Sequence, residues 1–261
     1  KNLDFSVPEE RLRWHVAGIN HMAWLLEVSD GAEDLYPEIK VRAAEKVTAA
    51  RKPGAEKYND MVRMDGIRHF GYYVTESSEH NAEYTPYWIK RTHPELIDEF
   101  SIPLDEYPRR CVDQIATWNE MSRTMVDNPE LSHERTHEYG SYIMEAIETG
   151  VPYRIHGNIM NRGLITNLPA AACVEIPCLV DRNGVQGCFV GDLPEQCAAL
   201  NRTNINPQLL TIEANRTRKR DTVYQAAMLD PHTSSELTLD EIRSLCDDLF
   251  EAHGSMMPEY T

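Results

Sequence analysis

No apolar run in this chain approaches the roughly 18 residues needed to cross a bilayer, so no stretch of it reads as a transmembrane helix. Positive charge is scarce. Its 26 Lys and Arg stand against 42 Asp and Glu, a formal net charge of −16, which argues against nucleic acid or an anionic membrane surface as a partner. The same balance suits a neutral substrate, or an anionic one held by a few local bases. The opening ten positions lack a basic-then-apolar leader pattern, so the expected location is cytoplasmic. Disulfide patterning is missing too. Cys111, Cys173, Cys178, Cys188, Cys197 and Cys246 show no repeated pair spacing, and the four residues between Cys173 and Cys178 do not make a zinc ribbon. In a chain this long they read as reduced thiols acting as small buried hydrophobes. No G-x-G-x-x-G turn opens a helix after a strand, and there is no P-loop, H-E-x-x-H or nucleophile elbow. A nucleotide-binding half is therefore not visible.

What is present supports one α+β domain over residues 1–261, with a hydrophobic content of 41% to build a core and no repeat or linker. Ser6-Val7-Pro8-Glu9-Glu10 has the chemistry of a helix start. An apolar strand is expected through positions 16–28, with Asn20 and His21 at its middle pointing to opposite faces. Residues 35–51 read as a polar helix, and Met61, Met64, Ile67 and Phe70 fall at helical spacing before a Gly71 stop. A helix carrying Ala82, Tyr84, Tyr87 and Trp88 should follow caps at 75–78, and a short one should start at 92–95. Positions 109–126 form a long amphipathic pattern with Val112, Ile115, Trp118, Met121 and Met125 on one side; another helix ends at Gly150. The period then changes to that of strands around 153–159 and 174–180, with a hairpin at Arg182-Asn183-Gly184 and a return strand at 187–190. Pro177 belongs at an edge or bulge. Beyond Pro194 the chain is helical, and Thr238-Leu239-Asp240-Glu241 opens a last helix whose Ile242, Leu245, Leu249 and Phe250 face inward.

Three places hold polar residues that packing alone does not explain. A buried His21 must be hydrogen-bonded or bound to a metal, because an unpaired imidazole costs about 1–3 kcal/mol; either a core histidine or a ligand satisfies this. Thr75-Glu76-Ser77-Ser78-Glu79-His80, with Tyr84 one helical turn after His80, offers carboxylate, imidazole and phenol for proton transfer, or simply a capped helix start. His156-Gly157-Asn158, with Asn161-Arg162-Gly163 after it, lies at a strand end, where binding loops and plain turns both occur.

Ala17-Gly18-Ile19-Asn20-His21-Met22-Ala23-Trp24, Gly71-Tyr72-Tyr73-Val74-Thr75-Glu76-Ser77-Ser78-Glu79-His80 and Val174-Glu175-Ile176-Pro177-Cys178-Leu179-Val180-Asp181 together resemble glycoside hydrolase family 4, the α-galactosidases of melibiase type. Positions 104–111 and 226–233 point the same way, and the resemblance extends from about residue 13 to about residue 253. It implies a lactate-dehydrogenase-like C-terminal domain, with an antiparallel sheet and several long helices, in a homo-oligomer. It also implies hydrolysis of α-galactosides through oxidation at C3 by NAD⁺, proton removal at C2, elimination, water addition and reversal. A divalent cation, usually Mn²⁺, polarises the sugar oxygens. In the family one cysteine and one histidine hold it, which makes His21 the metal ligand. The proton-abstracting base would be Tyr84, then His80, then Glu79, with Asn20, Asn158, Arg109 and Arg110 as sugar contacts. The family's Rossmann domain and metal-binding cysteine have no match in these residues. The chain is thus expected to be a C-terminal part that binds NAD weakly or not at all and has little activity alone. An α-glucosidase or α-glucuronidase of the same family, or a non-catalytic binding or oligomerisation module, are the alternatives.

Overall fold

The computed structural model describes residues 3, 5–128, 130, 134–136 and 138–261. The first difference from the sequence reading comes at once. Residues 9–11 form a turn, with the Arg11 and Leu12 N–H groups donating to the Pro8 carbonyl, and the chain enters β1 (Leu12–Ile19) instead of a helix. β1 doubles back into β2 (Met22–Asp30), followed by β3 (Glu33–Asp34) and the helices α1 (Tyr36–Ala50) and α2 (Met61–Phe70). Gly71 ends α2 with φ 83°, the left-handed conformation that glycine adopts without strain.

Next come β4 (Tyr73–Val74), α3 (Ser78–Glu83), α4 (Glu95–Glu99), α5 (Glu106–Asp127) and α6 (Gly140–Thr149). The expected helix through Trp88 stops at Glu83, because Pro86 disfavours helical backbone at Thr85 and removes a donor. No residue of α5 is buried, so its stripe of Val112, Ile115, Trp118, Met121 and Met125 faces outward.

β5 (Tyr153–Met160), β6 (Cys173–Asp181) and β7 (Gly184–Gly187) complete one sheet of order β3-β2-β1-β6-β5, with β4 on β2 and β7 on β6; all these ladders are antiparallel. The return strand starts earlier than the sequence suggested, since Asp181 pairs directly with Gly184 across two loop residues. Pro177 lies in an interior strand. Its carbonyl accepts from Cys188, and its donor-less nitrogen faces the same side, where β6 passes from its pairing with β1 at Glu175 to that with β7 at Cys178. That gap accommodates proline as an edge would.

The last helices are α7 (Glu195–Thr217), α8 (Arg220–Met228), α9 (Pro231–Glu236) and α10 (Leu239–His253). α10 carries the complete capping box at Thr238 and Glu241. Its inward stripe is Ile242, Cys246 and Phe250, whereas Leu245 and Leu249 are exposed. The main core lies on one sheet face, where Ile19, Met22, Trp24, Val174 and Ile176 meet Cys197, Ala198 and Ile205 of α7. A second core joins α1 and α2 to Trp88, Phe100 and Ile102. All six cysteines are free. Cys178, Cys197 and Cys246 are buried as expected, but Cys173 and Cys188 are exposed and Cys111 is intermediate.

Candidate functional site

Ile19 pairs with Met22, which leaves Asn20 and His21 as the two loop residues of a tight hairpin. The straight strand expected through this segment is therefore two strands, and its polar pair is the tip. Gly18 is what permits the turn: a Cβ there would lie 2.6 Å from both the Ala23 Cα and the Met22 carbonyl oxygen. Trp24 and Met22 anchor the hairpin from below. The buried Asn201 of α7 accepts from Trp24 Nε1 at 3.2 Å and donates to the Met22 carbonyl at 2.6 Å.

The two tip residues reach sideways in opposite directions. Asn20 Nδ2 donates to Glu175 Oε2 of β6 at 3.2 Å. Glu175 also stands in register with Asn158 of β5, so Asn20, Glu175 and Asn158 form a polar row across the sheet. On the other side, His21 Nδ1 lies 3.1 Å from Glu76 Oε1. The two atoms are close but off the line of a hydrogen bond, and His21 Nδ1 is shut off from water with no hydrogen-bond partner.

Glu76 and α3 are positioned by β4. Beyond the pairing of Trp24 with Val74, the Thr75 N–H donates to the Ala23 carbonyl at 2.7 Å and Thr75 Oγ1 accepts from the Ala23 N–H at 3.2 Å. Glu76 then turns the chain with φ 67°, and Ser77 caps α3 by accepting from the His80 N–H. His80 and Tyr84, four residues apart, share a face of the helical turn. The His80 ring stacks on His21 with centroids 4.8 Å apart, and Tyr84 is 6.3 Å from His21 and 6.0 Å from His80. Burial first, then the carboxylates of Glu83 and Glu76, raise the Tyr84 phenol above its ordinary pKa. Donor atoms of His21, Glu76 and His80 all lie within 4.8 Å of one another.

Other expected site residues lie apart from this cluster. Glu79 falls about 100° around the helix from His80 and faces Arg110 at 3.9 Å, beside a cleft lined by Asp98 and Glu106. Arg109 is exposed on α5 and pairs with Glu106 at 3.2 Å. Two acids were not singled out in the sequence. Glu175 is a charge set among the apolar residues of β6, a signal that could have found it; Glu76 sits in a polar run and shows its direction only through its backbone turn. No strand, glycine turn and helix of nucleotide-binding type occurs among the described residues, so they do not fit NAD. The donor set at the hairpin tip does fit a divalent cation.

A model described as "Family 4 glycosyl hydrolase C-terminal domain" matches residues 16–233. An α-galactosidase of Bacillus subtilis is 62% identical over 94% of this chain and 55% of its own length. One from Rhizobium meliloti is 32% identical over 94% of this chain and 50% of its own. The chain thus spans about half the length of these curated relatives. A solved 6-phospho-α-glucosidase from gut microorganisms, in complex with NAD and Mn²⁺, shares the fold: its TM-score is 0.71 at 22% identity, over 97% of this chain and 57% of that one.

Proposed function

The chain belongs to family 4 of the glycosyl hydrolases, and from that premise we propose that residues 1–261 are the catalytic and substrate-binding domain of an α-galactosidase. What carries this reading is the convergence of His21, Glu76, His80 and Tyr84 at one hairpin tip, 55 or more positions apart in sequence for His21 and the others. The substrate is a small α-galactoside, in keeping with the relatives that are 62% and 32% identical. Nucleic acid and membrane are not partners in this reading, and no helix among the described residues is long and apolar enough to cross a membrane.

Within the site, Tyr84 is the first choice for the base that takes a proton from the sugar, ahead of His80; Glu79, the third choice in the sequence, faces Arg110 apart from the cluster. Asn20 and Asn158, held in one row by Glu175, offer amide donors and acceptors to sugar hydroxyls. Arg109, which pairs with Glu106 on α5, is a further proposed sugar contact. His21 would hold Mn²⁺, which supplies Lewis-acid polarisation of sugar oxygens and a positive charge that lowers the phenol pKa. NAD would be held by residues of the whole protein other than these. A cytoplasmic homo-oligomer completes the proposal, with its mass to be read by light scattering.

The test is hydrolysis of p-nitrophenyl α-galactoside by the protein that carries this chain, supplied with NAD⁺ and Mn²⁺. Activity should vanish when either is withdrawn and return when it is restored. Turnover that survives removal of both would refute the mechanism. Faster turnover of the α-glucoside or α-glucuronide would move the assignment to another sugar of the same family.

A further inference from the structure

None of the 22 residues of α5 is buried among the described residues, although helices in proteins take most of their stability from packing an apolar face. Such a face is present. On a helical projection Cys111, Ile115, Met121 and Met125 all lie within about 60° of Trp118. Between Cys111 and Met125 the polar members of that sector are Gln114 and Ser122, and it carries no charge. Ile115 is 63%, Trp118 60%, Met121 42% and Met125 48% exposed. Beside Trp118 lies a hollow of about 510 Å³ lined by Cys111, Gln114, Ile115, Thr117 and Met121.

The order of the stripe indicates what covers it. Ile115 and Met121 stand three residues to either side of Trp118, and Cys111 and Met125 stand seven. A second copy of the helix, antiparallel and related by a two-fold axis at Trp118, therefore meets apolar positions at each of these levels. Trp118 comes beside Trp118 of the partner subunit, and Cys111 comes level with Met125 of the partner subunit. A two-fold contact requires self-complementarity of this kind, whereas contact with an unrelated surface does not. The hollow obeys the same operator, since each indole can enter the hollow beside the other. The area also suffices. With Val112 at its rim, 67% exposed, the stripe presents roughly 600 Å², so a pair removes about 1,200 Å² from water, the lower bound for stable specific interfaces. Arg110, on the flank of the stripe, faces Glu79 of α3 at 3.9 Å, so a paired α5 would brace the helix that carries His80.

We propose that α5 is a homodimer interface, in which two copies pair antiparallel through this stripe about a two-fold axis at Trp118. The proposal rests on the reading above only in giving its homo-oligomer a face and an axis. Its measurements involve no hydrolysis, so it fails separately from the α-galactosidase assignment.

The test uses the whole protein that carries this chain. Met125→Cys, treated with a short bismaleimide, should give a covalent dimer that wild type does not form and that Cys111→Ser abolishes. Trp118→Glu should raise the dissociation constant of this contact at least about thirtyfold, read by sedimentation velocity as a halving of the assembled mass with circular dichroism unchanged. Failure of the cross-link, or a cross-link that persists without Cys111, overturns the register and with it the proposal. An assembled mass that Trp118→Glu leaves unchanged overturns it as well. A wild-type monomer whose Trp118 fluorescence, taken as the difference from Trp118→Phe, resists acrylamide would place the remainder of its own chain on the stripe and refute pairing. If Trp118→Glu does not fold, the cross-link between positions 111 and 125 decides.

Discussion

Asn201→Ala should cost far more than the loss of one small polar side chain. Asn201 is fully buried, and its amide is the partner of two core groups: Trp24 Nε1 donates to it and the Met22 carbonyl accepts from it. Alanine leaves both without a partner in a space that excludes water. Each such group costs about 1–3 kcal/mol, so the variant should lose about 2–6 kcal/mol, a large share of the 5–15 kcal/mol typical of a folded domain. For a chain of this size that is a fall in melting temperature of roughly 5–15 °C. Urea denaturation of wild type, Asn201→Ala, Trp24→Phe and the double variant gives the accounting. Because Trp24→Phe removes one of the stranded groups, the two substitutions should couple by about 1–2 kcal/mol. A loss below about 1 kcal/mol, or full additivity with Trp24→Phe, would show that Asn201 does not hold the hairpin.

Four other outcomes can be measured. Burial, then Arg154 and His15, push His156 down to about 4, so the folded state refuses a proton that the unfolded state accepts near 6.5. Stability from this group is complete above pH 6.5 and is lost as pH falls toward 4, by about 1–2 kcal/mol once the ring's partial exposure is allowed for. His156→Gln should flatten urea midpoints across that window, and an unchanged slope would refute the assignment. Tyr84→Phe should lower kcat for the α-galactoside by about 10²–10⁴ with little change in KM; a shift in KM alone would make the phenol a binding group. Thr238→Ala breaks the capping box of α10 and should cost about 1 kcal/mol by thermal melting. Gly18→Ala drives a methyl against Met22 and Ala23 backbone and should destabilise by about 1–3 kcal/mol, so a variant that melts with wild type would remove the steric account of the turn.

Local chemistry was the legible part of this sequence. The capping box at Thr238, the glycine stops at 71 and 150 and the hairpin at Arg182 and Asn183 depend on neighbours a few residues away, and each stands where its residues placed it. The face of α10 was harder, because Ile242 is compatible with both a 245/249 and a 246/250 stripe, and only the packing partner on α8 chooses between them. The turn at Asn20 and His21 was hidden: neither an Asn-Gly pair nor a proline marks it, and what forces it is the space Gly18 leaves for residues across the hairpin. For the site, His80 and Tyr84 could be paired by helical spacing. Glu76 could not be placed, since its approach to His21 requires the pairing of β4 with β2 and a left-handed backbone turn.

The double hydrogen bond between Ala23 and Thr75 also bears on how this scaffold tolerates change. It fixes the distance from the hairpin tip to α3 at a single rung of the sheet, two residues from His21 and five from His80. The excursion between those strands, which includes α1 and α2, begins and ends on that ladder and does not itself set the spacing of the cluster. Loop closure grows only slowly more costly with length. Insertions or deletions in exposed parts of that excursion, around residues 51–57, should therefore reshape that part of the surface while His21, Glu76 and His80 keep their mutual positions. The cluster of His21, Glu76 and His80 and that stretch of surface can thus vary independently.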